Sequence, residues 1–130
     1  MKTIKSLIAG TAMAAAAWSV QAGTLVINSD QADPAPKKAF AEIVEKFTAE
    51  NPDVEIKYNL YDKEGYKTAI RNWLATSPPD LVFWYAGNRM KTFVERGMFE
   101  DVSDIWDSED LHSSMSTAEA AMTIDDKQWG

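Results

Sequence analysis

The sequence predicts an α/β protein with a largely parallel sheet flanked by helices, and three observations predict it. Short β-rich runs alternate with helical periods from residue 24 onward. The run Leu81-Val82-Phe83-Trp84-Tyr85 is continuously apolar, as in a central strand covered on both faces. Turn residues and prolines punctuate the boundaries between these segments.

The chain opens with an address. Lys2 and Lys5 form a positive start, and Ser6 to Val20 is uncharged and alanine-rich. Val20-Gln21-Ala22 places small residues where a signal peptidase reads, so residues 1–22 are predicted to be a signal peptide cleaved after Ala22. The apolar run is too short and too weak for an anchor, which needs about 20 strongly apolar residues.

Thr24-Leu25-Val26-Ile27-Asn28 is the first predicted strand, and Ser29, Asp30, Asp33 and Pro34 form the turn after it. From about Pro36 the period becomes helical, with Phe40, Ile43, Val44 and Phe47 on one face, and Asn51-Pro52 ends it. Val54, Ile56, Tyr58 and Leu60 alternate with polar residues in a half-buried strand. Asp62 is the expected N-cap of a second helix whose buried face is Tyr66, Ile70, Trp73 and Leu74. Ser77-Pro78-Pro79-Asp80 stops that helix, because proline cannot continue it. After the apolar strand, Asn88 is the expected cap of a third helix burying Met90, Phe93 and Val94, with Gly97 at its left-handed end. Glu100 to Asp107 reads as a loop or short helical turn, Ser108 to Met122 as a weaker helix, and Thr123 to Gly130 as the approach to another strand.

Composition narrows the function. The net charge is −7, and −9 without the two leader lysines, which repels phosphate backbones and offers no basic face to a membrane. No nucleic-acid partner is expected, and no membrane embedding after signal cleavage. With no cysteine there are no disulfides, no thiolate zinc site, no cysteine nucleophile and no lipid-modified cysteine. His112 is the single histidine, and Ser113, Ser114 and Ser116 beside it do not make a triad. The acidic stretch Glu100 to Asp110 lacks calcium-loop spacing and reads as a solvated face. No catalytic residue, metal or cofactor is expected.

In an α/β sheet, ligands sit beyond the carboxyl ends of the strands. Three loops meet there: Ser29 to Asp33, Tyr61 to Lys63, and Trp84 to Arg89. The third holds Trp84, Tyr85, Asn88 and Arg89 around a flexible glycine. An aromatic face packs on the C–H face of a pyranose, while amide and guanidinium groups suit its hydroxyls. Strand alternation turns one of the two aromatics toward the cleft. Asp30 and Gln31 in the first loop add hydroxyl partners. The plainer alternatives stand beside these: a core aromatic, a surface arginine and ordinary turn chemistry.

Ser77-Pro78-Pro79-Asp80-Leu81-Val82-Phe83-Trp84 resembles the proline-aspartate strand of the family 1 extracellular solute-binding proteins. Asn88 to Arg96, Gly97 and Met98-Phe99-Glu100-Asp101-Val102 resemble the helix, glycine and acidic stretch that follow in that family. The opening strand, Phe40 to Phe47, Asn51 to Ile56 and Tyr66 to Leu74 match in order and spacing, and Asp126 to Gly130 resembles a later family segment. The resemblance runs from about Thr24 to Gly130.

It implies a type II periplasmic-binding-protein-like fold, with residues 23–130 as the N-terminal part of the first lobe and the second lobe missing. It further implies a monomeric periplasmic receptor that binds a carbohydrate and delivers it to the permease subunits of an ABC importer. Carried over by position, Asp30 and Gln31 fall on the first ligand loop, Trp84 on the ligand tryptophan, and Asn88 and Arg89 on the polar positions behind it. The maltose-binding member has an aspartate where this chain has Asn88, and its loop is one residue shorter, so the sugar is left open. The alternatives are a receptor for a polyol or a phosphate ester, and a small periplasmic hydrolase working through carboxylates.

Overall fold

The computed structural model describes residues 23–130, and the predicted signal peptide lies outside the described residues. Strand β1 (Gly23–Ser29) is followed by α1 (Pro34–Glu50), β2 (Val54–Leu60), α2 (Lys63–Thr76) and β3 (Leu81–Val82). Then come α3 (Asn88–Val94), α4 (Ser103–Ser108), α5 (Leu111–Ser114), α6 (Ser116–Met122), β4 (Thr123–Ile124) and β5 (Lys127–Gln128). The first three strands form one parallel sheet in the order β2-β1-β3, as expected of strands joined by helical crossovers.

The register sorts the side chains onto two faces. Ile27 pairs with Tyr58 and Leu81, while Asn28 pairs with Asn59 and Val82. On the first face, Phe40 of α1 stacks on Tyr58 at 4.7 Å and meets Phe83 edge-on at 5.2 Å. On the second, Tyr66, Ile70 and Leu74 of α2 and Phe93 of α3 make the core, with Val82, Trp84 and Trp73 packed around them. Of the stripe expected on α1, Phe40 and Val44 are half-buried, but Ile43 is 58% and Phe47 38% exposed. Only the edge strand β3 extends that side of the sheet, and its Leu81 is itself 51% exposed.

Local chemistry sets the helix ends. The Asp62 carboxylate accepts the Gly65 N–H at 2.8 Å, the capping bond expected there. Gly97, at φ 66°, closes α3: its N–H donates to Val94 O at 2.8 Å and the Met98 N–H to Phe93 O at 3.0 Å. That pair of bonds is a Schellman closure.

Three expectations are corrected. Asn88 is not the cap of α3. Gly87 holds that position at φ 69°, ψ −139°, a conformation open to glycine, and its carbonyl accepts from Met90 and Lys91. The apolar strand is not central and runs only over Leu81–Val82, because β3 lies at the sheet edge and Phe83 donates the last ladder bond, to Asn28 O at 3.2 Å. Residues 123–130, expected to approach another strand, hold two short strands of their own. They form an antiparallel hairpin, β4 with β5, turned by Asp125 and Asp126, both at positive φ as a two-residue primed turn requires. The weaker helix expected over 108–122 is two short helices, divided where Met115 leaves helical geometry.

The Ser77-Pro78-Pro79-Asp80 turn does more than stop α2. Asp80 N–H donates to Val26 O at 2.9 Å, and its carboxylate accepts the Val26 N–H at 2.8 Å. One residue thus grips both polar groups of Val26 and sets the β1–β3 register.

The C-terminal segment folds back as a buttress. Trp106 is buried, and its indole N–H donates to Gly130 O at 2.9 Å. Val102 N–H reaches Gln128 O, and Gln128 N–H reaches the Ser103 hydroxyl. Lys127 pairs with Asp101 at 2.7 Å. That bond, followed by those from Ser103, holds the Asp101 carboxyl down at about 2. His112 lies between Glu119 at 2.8 Å and Asp107 at 3.1 Å, tying α4, α5 and α6 together. Both bonds raise its pKa, Glu119 contributing most. Finally, Gly87 N–H donates to Ala121 O at 2.8 Å, so α6 steadies the loop ahead of α3.

Asp80→Ala is expected to lower the unfolding free energy by about 1–2 kcal/mol, because it orphans the Val26 N–H. An unchanged urea midpoint would contradict the clamp. The folded state raises the His112 pKa, so its contribution is full below the ordinary imidazole value of 6.5 and is lost as pH rises through the raised one. Melting temperature followed across neutral pH should therefore fall on that limb in the native chain, and the step should vanish in His112→Gln.

Candidate functional site

The first predicted loop is a tight, preorganised turn. Ser29 and Asp30 are buried at the end of β1. Gln31 N–H donates to the Ser29 hydroxyl at 3.0 Å, and its side-chain amide donates to the Asp30 carboxylate at 2.8 Å. Ala32 N–H closes the turn on Asp30 O. Asp30 and Gln31 are thus brought together, with the carboxylate oriented by the amide. Next to them, Lys63 at the start of α2 pairs with Asp33 at 2.9 Å. That bond raises the Lys63 pKa, and the charge of Asp30 adds a smaller contribution.

The third loop splits its two aromatics. Trp84 turns toward α2 and α3, 6.5 Å from Tyr66 and edge-on to Phe93 at 5.5 Å. Its indole N–H donates to Arg89 O at 3.2 Å, which fixes the loop against the first turn of α3. Tyr85 points out, 41% exposed, and carries the Arg89 guanidinium 4.5 Å above its ring. Such a cation–π contact orients the arginine without neutralising it. Under the loop, the Tyr66 hydroxyl donates to Asn28 O at 3.0 Å, and burial pushes its pKa up. Tyr66 is therefore a neutral structural donor at any physiological pH.

Trp84, Asn88 and Arg89 line one groove of about 480 Å³ between α2 and α3, with Phe93 at its base. The other three predicted residues stand outside its lining: Tyr85 beneath Arg89, and Asp30 with Gln31 in their own turn. Because Gly87 caps α3, Asn88 is left on the exposed first turn, where it lines the groove. Sequence reasoning missed Lys67, Arg71 and Thr92, which complete the lining. A signal for two of them was present. Lys67 and Arg71 are one helical turn apart, each next to a residue of the buried stripe Tyr66 and Ile70.

The groove and turns offer aromatic surface, amides, a carboxylate and guanidinium groups. They can hold a hydroxylated ring by stacking and paired hydrogen bonds.

The family model described as bacterial extracellular solute-binding protein matches residues 31–125. No curated protein matches the chain by sequence. Among solved structures, the bacterial solute receptor AcbH, described as having an exclusive preference for β-D-galactopyranose, is similar at 26% identity and a TM-score of 0.66 over 85% of this chain. A structure from work on xylan utilisation by Caldanaerobius polysaccharolyticus is similar at 26% identity and 0.66 over 82%. An ABC substrate-binding protein of Listeria monocytogenes in complex with cycloalternan shares the fold at 21% identity and 0.68 over 83%. These neighbours have the type II periplasmic-binding-protein fold, and their parallel sheet with flanking helices is the one described above. The chain spans a little over a quarter of their lengths, 27%, 28% and 28% respectively. Among the described residues, no helix is long and apolar enough to cross a membrane. With the family model covering residues 31–125 and the fold shared with these neighbours, the chain belongs to the bacterial extracellular solute-binding proteins.

Proposed function

We propose that this chain is part of a periplasmic receptor of an ABC importer, binding a carbohydrate and passing it to membrane permease subunits without chemistry on it. The observation that carries the reading is the Trp84–Arg89 loop. It leaves a parallel strand with an aromatic face, an amide and a guanidinium fixed around one groove. Family membership supports it, as do neighbours described as binding β-D-galactopyranose or cycloalternan. In this reading, Trp84 stacks on the sugar ring while Asn88 and Arg89 bind its hydroxyls. Asp30, held by Gln31, binds hydroxyls from the neighbouring turn, and Tyr85 holds Arg89 in place. The chain is exported by residues 1–22, cleaved after Ala22, and acts as a monomer.

A thermal-shift screen of the intact protein against a carbohydrate library tests this directly, since a ligand of the folded state stabilises it by RT ln(1 + [L]/Kd). At least one carbohydrate should raise the melting temperature in a dose-dependent way. Stabilisation by another class of solute, with none from any carbohydrate, would refute the reading. Trp84→Phe keeps a ring in the core but removes the indole face and the bond to Arg89. It should weaken sugar binding by about 1 kcal/mol, the scale of a specific aromatic contact, with little change in melting. A calorimetric Kd equal to that of the native chain would leave Trp84 as a core residue alone.

A further inference from the structure

Resting on the receptor reading, we propose that the groove between α2 and α3 takes an acidic saccharide, a sugar ring bearing a carboxylate or a phosphate. The charges that line it carry the inference. Lys67 and Arg71 project from successive turns of α2, Arg89 comes from the first turn of α3, and no carboxylate lines the groove. The chain as a whole has 20 acidic and 13 basic residues, so a lining with three cations and no carboxylate runs against its average.

Ion pairing elsewhere sharpens the contrast. Asp33 takes Lys63 at 2.9 Å and Glu64 takes Lys67 at 2.8 Å. Among the described residues, Arg71 and Arg89 form no ion pair, and Arg89 is held only over the Tyr85 ring. Glu64 raises the Lys67 pKa through its hydrogen bond and charge, with Arg89 opposing it by a smaller amount. Two guanidiniums converging on one groove without a carboxylate make a cost that a bound anion removes. Their planar forks match the paired oxygens of a carboxylate or phosphate.

The other walls ask for a sugar rather than a bare anion. Trp84 and Phe93 supply apolar surface, and the Asn88 amide and Thr92 hydroxyl supply neutral hydrogen-bonding groups. The ring's C–H face lies on Trp84, its hydroxyls meet Asn88 and Thr92, and its anionic group lies between Arg71 and Arg89. Carboxylate and phosphate share this chemistry.

The test is calorimetry on the intact protein with matched ligands: uronates and hexose 6-phosphates, their neutral parent sugars, and acetate and inorganic phosphate alone. At least one acidic sugar should bind about tenfold more tightly than its neutral parent, with affinity falling as salt rises. Arg71→Gln should weaken the acidic sugar far more than its neutral parent and so shrink that preference, and Arg71→Lys should restore part of it. Arg71 is exposed, so the fold should survive both changes. If neutral sugars bind as well as acidic ones and Arg71→Gln changes nothing, the inference falls and the receptor reading stands. If acetate or phosphate alone binds as tightly as any sugar, the groove is a plain anion site and the saccharide claim is wrong. If no carbohydrate of either kind binds, the receptor reading fails and takes the inference with it.

Discussion

The described fold hangs on the main chain of one residue at the end of the central strand. Asn28 O accepts the Phe83 N–H of the β3 strand end at 3.2 Å and the Tyr66 hydroxyl of α2 at 3.0 Å. The Asn28 side chain accepts the Asn59 amide of β2 at 2.9 Å. The next carbonyl, Ser29 O, accepts the Tyr61 N–H at 2.9 Å. All three strands and the core helix therefore converge where β1 stops. The ladder bonds on both sides of β1 end at this level. The departing turn becomes Ser29–Asp33, and the neighbouring strands release theirs at the same level. The site is a consequence of where the ladder ends.

Tyr66 links this constraint to packing. Its ring sits in the core with Ile70, Leu74 and Phe93, while its hydroxyl spends its one proton on the sheet. A buried phenol without that acceptor would cost about 1–3 kcal/mol. The same ring stands behind Trp84 at 6.5 Å and meets Trp73 at 5.4 Å. Trp84 is thus supported from behind by core aromatics and tethered in front through Arg89 O. Farther out, α6 holds Gly87 through Ala121 O, and α6 is pinned by His112. The loop is therefore held both by its own Trp84 in the core and by elements on either side.

Much of this was legible in the sequence where the signal was local. The alternation from Val54 to Leu60, the Asp62 cap and the Gly97 closure each depend on residues within a few positions. The extent of β3 was not, because strand length depends on a partner, and the apolar run through Tyr85 says only that the side chains favour burial. The cap of α3 was misread because Asn88 is a good cap by residue type, yet Gly87 takes that position at positive φ, with its N–H bonded to Ala121, far along the chain. The hairpin was missed because Asp125-Asp126 is a weak primed-turn pair beside Asn-Gly or Asp-Gly. Within the site, grouping by loop placed Trp84, Asn88 and Arg89 together, as the groove does. Lys67 and Arg71 escaped because they lie on a helix whose buried stripe drew the attention.

Net charge and groove charge answer different questions. The value of −7 describes the field that a distant polyanion meets, and it repels one. At physiological salt that field is screened over about 8 Å. A small ligand already within the groove is governed by the groups touching it, here Lys67, Arg71 and Arg89. Glu64 reaches over Lys67 from the exposed side and tempers that residue alone. The two guanidiniums stay charged at any accessible pH. An acidic surface and a cationic groove are therefore compatible in one chain. In the receptor reading, the acidic surface repels phosphate backbones, while the proposed groove charge acts over distances too short for the net charge to matter.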